Sequence, residues 1–445
     1  MVKDLAKDLK SENLILYAQA LEILGMQAQE FFKKNSLPTE KIKLENSVGR
    51  ILSQDVFSKE DLPAFDNSAM DGFCVNSEYV NSALKNRVVE LPVVASLAAG
   101  DVLDKLQDIE LSPACAIEIM TGAPFPSKNE RAHFDFVIKV EDVVPVKNTQ
   151  GIIKAIQVTQ PLGSKSNVRS IGEDFKKGQL VLKKGEKILT QHLLALAGLG
   201  IFEVEVYKSI EIALLATGEE LVAYNQVDLA SGKIRNSTAL YLEKWFAEKD
   251  FKVKNYGIIG DDEDQYQAVI KKSFADGAQV FISTGAVSQG KFDFVKSVLE
   301  KMGVNIHFHK CAIRPGKPIL FGSLNYKGQL KFIFGIPGNP VATAIAARFF
   351  VLPFLQKLQS EQDRDNNIKL DKQLAMLSED FKKPQGLRCF FKAQIYQEKN
   401  QLYVRTLSGQ SSFQVQPLLE SNAWVVFPEQ NNSVQKGTVV EVYNL

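Results

Sequence analysis
The sequence predicts a multidomain protein of the α/β plus β class, and three features lead there. Its 445 residues exceed what one hydrophobic core organises and point to about three or four domains. Beyond Tyr207, strand-like and helix-like segments alternate, which is the pattern of a mostly parallel sheet with helices on both faces. Elsewhere, short apolar runs broken by Gly, Pro and Asn turns indicate β-rich domains.

From about Glu12 to Lys34, Leu14, Tyr17, Leu21, Leu24 and Ala28 recur at helical spacing and predict an amphipathic helix. Runs such as VVELPVVASL and FDFVIKVEDVVPV, between Val56 and about Val158, read as strands. GEDFKKGQLVLKKGEKILTQHLLALAGLG passes from a hairpin to a helix, with Thr190 as the N-cap. IEIALLATG is then a strand ending in a glycine turn, and STALYLEKWFAEKD is its helix. AQVFISTGAVSQG with FDFVKSVLEKMG, and FIFGIPGNP with VATAIAARFFVLPFL, repeat that step. Past about Glu361, FFKAQIYQ, LYVRTL, WVVFPE and TVVEVYNL are short strands of a small β-barrel or sandwich. These changes of texture mark a helical N-terminal stretch, a β-rich stretch from Val56 to about Val158, an α/β stretch after Tyr207 and a β-rich tail past about Glu361.

Lys and Arg total 53 against 52 Asp and Glu, giving a formal net charge of +1, so no global field draws the chain to nucleic acid or to an acidic membrane. Any anion must be met by local groups. The N-terminal stretch is charged throughout, unlike a signal peptide, and no uninterrupted apolar run approaches the ~18 residues of a membrane span. Cys74, Cys115, Cys311 and Cys389 are far apart and form no CxxC or Cys/His cluster, as expected of reduced thiols. A soluble, cytoplasmic protein is the expectation. His133, His192, His307 and His309 lack metal-ligand spacing, and no Ser-His-Asp arrangement suggests itself.

The polar chemistry is concentrated in turns. PAFDNSAMDGFCV gathers Asp66, Asn67, Ser68 and Asp71 ahead of a strand; TGAPFP, from Thr121, and IGEDF, with Asp174, are turns of similar style. Ligands of an open α/β sheet bind beyond the carboxyl ends of its strands, so the loops after IALLA, VFIS and FIFG are the places to look. ATGEEL puts Glu219 and Glu220 there, either as helix N-terminal acids or, for Glu220, as a hard-metal ligand. STGAVSQGKFDF sets Gly285 and Gly290 around Ser288, where backbone amides approach an anion or merely form a tight turn. Asp293 between two phenylalanines either caps the next helix or serves the site. Lys310, Arg314 and Lys317 surround a Pro-Gly turn, a site for phosphate or another oxyanion unless the loop is simply solvated. Pro337, Gly338 and Asn339 form a stiff loop whose amides a following helix would aim. Neither a Walker A pattern nor GxGxxG is present.

In order, PAFDNSAMDGF, TGAPFP, RSIGEDF, LLATGEEL, GDDEDQ, STGAVSQGKFDFVK, RPGKPILFG and GIPGNPVATA resemble the MoeA/gephyrin E-domain family of molybdopterin molybdotransferases, and GLRCFFKA and SGQSSFQ extend the likeness into the tail. The resemblance implies an elongated, discontinuous N-terminal region (1–55 and 157–205) with an inserted β-rich domain (56–156), a MogA-like three-layer α/β molybdopterin-binding domain (206–358) and a C-terminal β-barrel (359–445). It implies a homodimer, with the N-terminal part of one subunit facing the α/β domain of the other, and contact with the molybdopterin adenylyltransferase. It implies a transferase that takes adenylylated molybdopterin and molybdate, with Mg²⁺, and releases molybdenum cofactor and AMP. Carried over by position, Asp71, Asp174, Glu220 and Asp293 are catalytic. Asp66, Asn67, Ser68, Thr121, Gly285, Ser288, Lys310, Arg314, Lys317, Pro337, Gly338, Asn339, Arg388 and Ser411 (or Ser412) bind substrate. Glu220, Asp261, Asp262 and Asp293 are the metal ligands so implied.

Several residues depart from the family pattern. Arg314 replaces the usual lysine before PGKP, Ala286 a glycine of TGGVS, and Phe73 a tyrosine after DG; Phe292 and Phe294 stand in a segment often written EYDY. Two other readings compete: a molybdopterin adenylyltransferase, against which the long N-terminal half speaks, and a non-catalytic gephyrin-like scaffold. Retention of Asp71, Asp174, Glu220 and Asp293 favours catalysis, on the expectation that such acids are buried and costly to hold.

Overall fold
The computed structural model describes residues 14–35, 37–84, 88–127, 129–164, 166–286, 294–359, 367–430 and 432–445. The chain forms two compact units: Lys41–Val206, and Met1–Glu40 with Tyr207–Leu445.

Within Lys41–Val206 a six-stranded sheet runs in the order Phe136–Lys139, Gly72–Val75, Ala116–Ile119, Val89–Leu97, Ile153–Val158, Val144–Lys147. Its pairings are antiparallel except that between Val89–Leu97 and Ala116–Ile119. Alternate residues supply two cores: Phe73, Val75 and Ile138 on one face, Cys74, Ile117 and Val137 on the other. A third apolar cluster, including Leu52, Ile188, Leu196, Val204 and Val206, organises the rest of this unit. The segment read as a hairpin before the helix pairs outward instead, Leu180–Leu182 joining Val56–Phe57; upstream of that segment, Val168–Arg169 joins Asn67–Ser68. The helix that follows is His192–Gly198, and Thr190 is not its side-chain cap. Its backbone carbonyl, accepting from the Leu193 amide at 3.1 Å, begins the turn instead.

In the other unit, four parallel strands lie in the order Lys252–Ile259, Glu211–Thr217, Val280–Thr284, Gln329–Ile336, and two antiparallel strands, Leu320–Tyr326 and Asn305–His309, extend the sheet. Ile212 and Leu214 face one layer, built from helices Tyr17–Lys34, Ser237–Ala247 and the helical run from Pro340 to Gln359; Ala213 and Leu215 face the other, with Glu263–Ala275 and Val295–Lys301. This is a three-layer α/β arrangement. The helix at Tyr17–Lys34 starts later than Glu12, and its Tyr17 hydroxyl donates to the Phe349 carbonyl at 3.1 Å, in the π-helical turn Ala347–Val351. By length and hydropathy the stretch Pro340–Gln359 would suffice to cross a membrane, although Arg348 and Lys357 interrupt it; here it is 89% buried as a core helix.

Beyond it, Gln373–Leu377, Gln401–Thr406, Arg388–Glu398, Ala423–Phe427 and Val439–Asn444 pair in a closed ring, a five-stranded barrel filled by Leu377, Phe391, Val404, Val425 and Val442. Ile313–Arg314 adds to this barrel by pairing with Arg388 and Cys389.

One glycine of the first unit is set by crowding. A side-chain carbon on Gly72 would stand 1.9 Å from the Ile138 carbonyl oxygen of the neighbouring strand. Gly72→Ala is therefore expected to destabilise Lys41–Val206 by roughly 2–3 kcal/mol. Chemical denaturation checks this, and a loss below about 0.5 kcal/mol would show that the strand can move aside.

Candidate functional site
The opening acidic motif is built by three turns of the first unit. Asp66 ties them together: its carboxylate accepts from the Ser127 hydroxyl at 2.5 Å and from the Ile171 amide at 2.8 Å, while its carbonyl accepts from the Phe125 amide. Asn67 and Ser68 are buried and spend their polar atoms on the same loop, Asn67 donating to the Phe65 carbonyl and Ser68 to the Met70 carbonyl. Asp71 is exposed, and one of its carboxylate oxygens accepts from both the amide (2.7 Å) and the hydroxyl (2.8 Å) of Thr121. Those hydrogen bonds, the amide first, hold the Asp71 carboxyl below its ordinary range. Asp174 is also exposed, with its amide donating to the Leu62 carbonyl.

The second cluster lies at the carboxyl edge of the parallel strands in the other unit. A side-chain carbon on Gly285 (φ 92°) would stand 2.4 Å from the Thr217 carbonyl, and one on Gly338 would stand 3.5 Å from Gly285 Cα. Three successive strand ends thus touch through glycine. Ala286 holds φ at 49°, so its extra carbon sits on left-handed backbone. The Pro337 and Asn339 carbonyls both accept from the Thr343 hydroxyl, at 2.6 and 3.0 Å, which stiffens the loop. Two further loops reach the helix behind it. A carbon on Gly316 would lie 3.7 Å from the Ala342 carbonyl, and the Val341 amide donates to the Ser412 carbonyl at 3.0 Å. The basic turn and the barrel loop carrying Ser411 are therefore brought to one place.

Acids line the neighbouring strand ends. Glu219 accepts from the Asp261 amide at 3.3 Å. Asp261 has its pKa pushed up by partial desolvation and then by the negative charges of Glu220 and Glu219. Glu219 was read from sequence as equally well a helix-end acid; its contact with Asp261 gives it a place in the cluster. Asp262 is engaged otherwise, as N-cap of Glu263–Ala275, where it accepts from the Gln265 amide at 2.9 Å and the Gln265 side chain at 2.8 Å. The spacing Asp262-x-x-Gln265 is a capping signature legible in sequence. Among the described residues, no three His, Cys, Asp or Glu side chains form a metal-binding group. Glu220 with Asp261 is a hard-oxygen pair whose mutual repulsion a cation would relieve, which fits Mg²⁺ bound by one or two carboxylates, water and substrate phosphate. Ser288 and Asp293 lie outside the described residues.

On the basic turn, Lys310 is half-buried with φ at 92°, held there by its amide donating to the Ile319 carbonyl and its carbonyl accepting from Ile15. Arg314 is exposed; Lys317 is half-buried, and its carbonyl accepts from the Cys311 and Ile319 amides. Arg388 is engaged within the barrel, paired with Glu441 at 3.0 Å and Glu429 at 3.7 Å and lying over the Tyr17 ring. Asp71, Asp174 and Glu220 are all exposed, so the expectation of buried acids fails: they sit at turn tips, where water solvates the charge.

Thr121→Val removes one of the two donors to Asp71 and is expected to raise the Asp71 pKa, as read by carboxyl NMR titration; an unmoved value would mean the amide alone sets it. Lys310→Gly removes a cation and relieves left-handed strain, so stability should be unchanged or higher by up to about 1 kcal/mol while substrate affinity falls. A stability loss in thermal unfolding would instead make Lys310 a structural residue.

Comparison with known proteins follows the same outline. The MoeA N-terminal region (domain I and II) matches residues 15–200, the probable molybdopterin binding domain residues 213–357, and the MoeA C-terminal region (domain IV) residues 375–445. A molybdopterin molybdenumtransferase of Synechococcus elongatus is 35% identical, covering 97% of this chain and 100% of that protein. One of Haemophilus influenzae is 33% identical over 91% of this chain and 93% of its own. The crystal structure of the molybdopterin biosynthesis moeA protein from Pyrococcus horikoshii superposes with a TM-score of 0.75 at 28% identity, covering 97% of this chain and 100% of that one. Matched along almost its whole length by these relatives, the chain belongs to the MoeA family of molybdopterin molybdenumtransferases.

Proposed function
We infer that this chain is a molybdopterin molybdenumtransferase, which inserts molybdate into adenylylated molybdopterin and releases AMP. The observation that carries the reading is the meeting of three loops at one sheet edge: the Gly285–Gly338 contact, the basic turn against Ala342 and the Ser412 loop against Val341. Such an edge offers backbone amides and cations to an anionic ligand where the sheet leaves its strand ends open.

Adenylylated molybdopterin carries a phosphoanhydride and molybdate is a dianion. Lys310, Arg314 and Lys317 supply positive charge for them, and the amides of Gly338 and Asn339 supply close donors, with Pro337 stiffening the turn and Gly285, whose own amide donates to the Ile336 carbonyl, giving it room. Glu220 and Asp261 would hold Mg²⁺, which supplies charge neutralisation at the phosphate oxygens. Asp262 remains the helix cap and Arg388 the barrel's ion-pair partner, each supporting the site at one remove. Asp71, kept ionised by Thr121, provides a carboxylate for proton transfer or for orienting the reacting groups, with Asp174 beside the same set of turns.

The same proposal includes a homodimer, a cytoplasmic setting, receipt of the intermediate from the adenylyltransferase, the four-part domain division, a catalytic role for Asp293 and substrate-binding roles for Ser288 and Ser411. Capacity for an ordinary anion site does not separate this enzyme from a scaffold. AMP release does. Purified protein given adenylylated molybdopterin and Mg²⁺ should release AMP in a molybdate-dependent way, and Asp71→Ala should lower the rate by at least about 100-fold. Absence of AMP from folded protein would overturn the enzymatic reading in favour of a binding role.

A further inference from the structure
Lys392 is buried completely, on the barrel strand Arg388–Glu398. Cys389, Phe391 and Ala393 point into the barrel, whereas Phe390 leaves it to pack on Tyr17 and Phe349. Lys392 shares the parity of Phe390 and leaves on the same outer side. Its ammonium donates to the Gln414 carbonyl at 2.9 Å and the Ser411 carbonyl at 3.4 Å. Among the described residues no carboxylate forms an ion pair with it, and burial pushes its pKa down.

The loop is clamped from both ends of the same residue. The Gln410 amide group accepts from the Lys392 amide at 3.0 Å and donates to its carbonyl at 2.9 Å and to that of Leu407 at 2.7 Å. Ser411 in turn donates through its amide to the Gln414 side chain at 3.2 Å. From this loop the Ser412 carbonyl receives the Val341 amide, just beyond Gly338 and Asn339. A buried ammonium facing only neutral carbonyls is an expensive way to fill space that a methionine would fill without desolvation cost.

We propose that Lys392 is a positioning residue for the oxyanion end of the substrates: its ammonium fixes the Ser411–Gln414 loop, that loop holds the Val341 end of the Gly338–Val341 segment through the Ser412 carbonyl, and the charge adds to the field felt by a bound phosphate or molybdate. This rests on the molybdenumtransferase reading given above. The residue acts through its loop and touches no reacting atom.

The test uses the full-length enzyme with Lys392→Met and Lys392→Arg, measuring kcat and the half-saturating concentrations of adenylylated molybdopterin and of molybdate separately. Lys392→Met should raise at least one half-saturating value about tenfold with kcat within about threefold, and Lys392→Arg should recover most of the loss. The anion whose value moves identifies which oxyanion the loop serves. Folded Lys392→Met with both values within about twofold of the parent, or with a fall in kcat alone, overturns the proposal. If Lys392→Met fails to fold, Gln410→Ala loosens the same loop while keeping the cation: raised half-saturation supports the proposal and unchanged values overturn it. Failure of the parent enzyme itself to release AMP would overturn the underlying activity instead.

Discussion
The close approach of Gly285 to the Thr217 carbonyl is the contact on which the strand-end site depends. The inner parallel strands are largely apolar on both faces because helices cover both, and apart from Lys331 their buried polar side chains, Thr217, Ser283 and Thr284, lie towards the carboxyl ends. Polar chemistry is driven to the ends, where the backbone must turn within a few residues. A glycine there lets one turn lie directly on the next, and Gly338 repeats the device against Gly285. Acids gather beside one pair of strand ends, and the basic turn and barrel loop close on the helix beyond the other.

The unit Lys41–Val206 solves a different problem. Its acidic turns have no sheet edge of this kind, so Asp66 holds three turns together by accepting from side chain and backbone alike. Asp71 stays at the surface, satisfied by Thr121, and the next residue but one, Phe73, is core. The polar cluster that interrupts the sequence at this point is a turn followed at once by a crowded strand, and Gly72 marks the change from one to the other.

Much of this was legible from residue patterns. The alternation after Tyr207 gave the three-layer architecture, and four of the five barrel strands were visible as apolar runs. Gln373–Leu377 was missed because its own pattern is short and half exposed; its pairing with Val439–Asn444 and Gln401–Thr406 makes it a strand. Leu180–Leu182 was assigned to a hairpin because it follows a turn, whereas its partner lies more than a hundred residues earlier. Register between distant segments leaves little local trace.

The site divides along the same line. Residue types and spacing placed acids, cations and glycines in turns and at strand ends, because turn chemistry and strand ends are local properties. Sequence alone did not say how each group is used. Asp262 resembles its neighbour Asp261, yet one caps a helix and the other faces Glu219 and Glu220. Arg388 and Lys392 stand four residues apart on one strand, yet one is paired with carboxylates and the other is buried against neutral carbonyls. The sequence determined which chemical groups the chain offers and the loops that carry them. Tertiary structure decided which charges are compensated, because compensation depends on distances across the fold rather than along the chain.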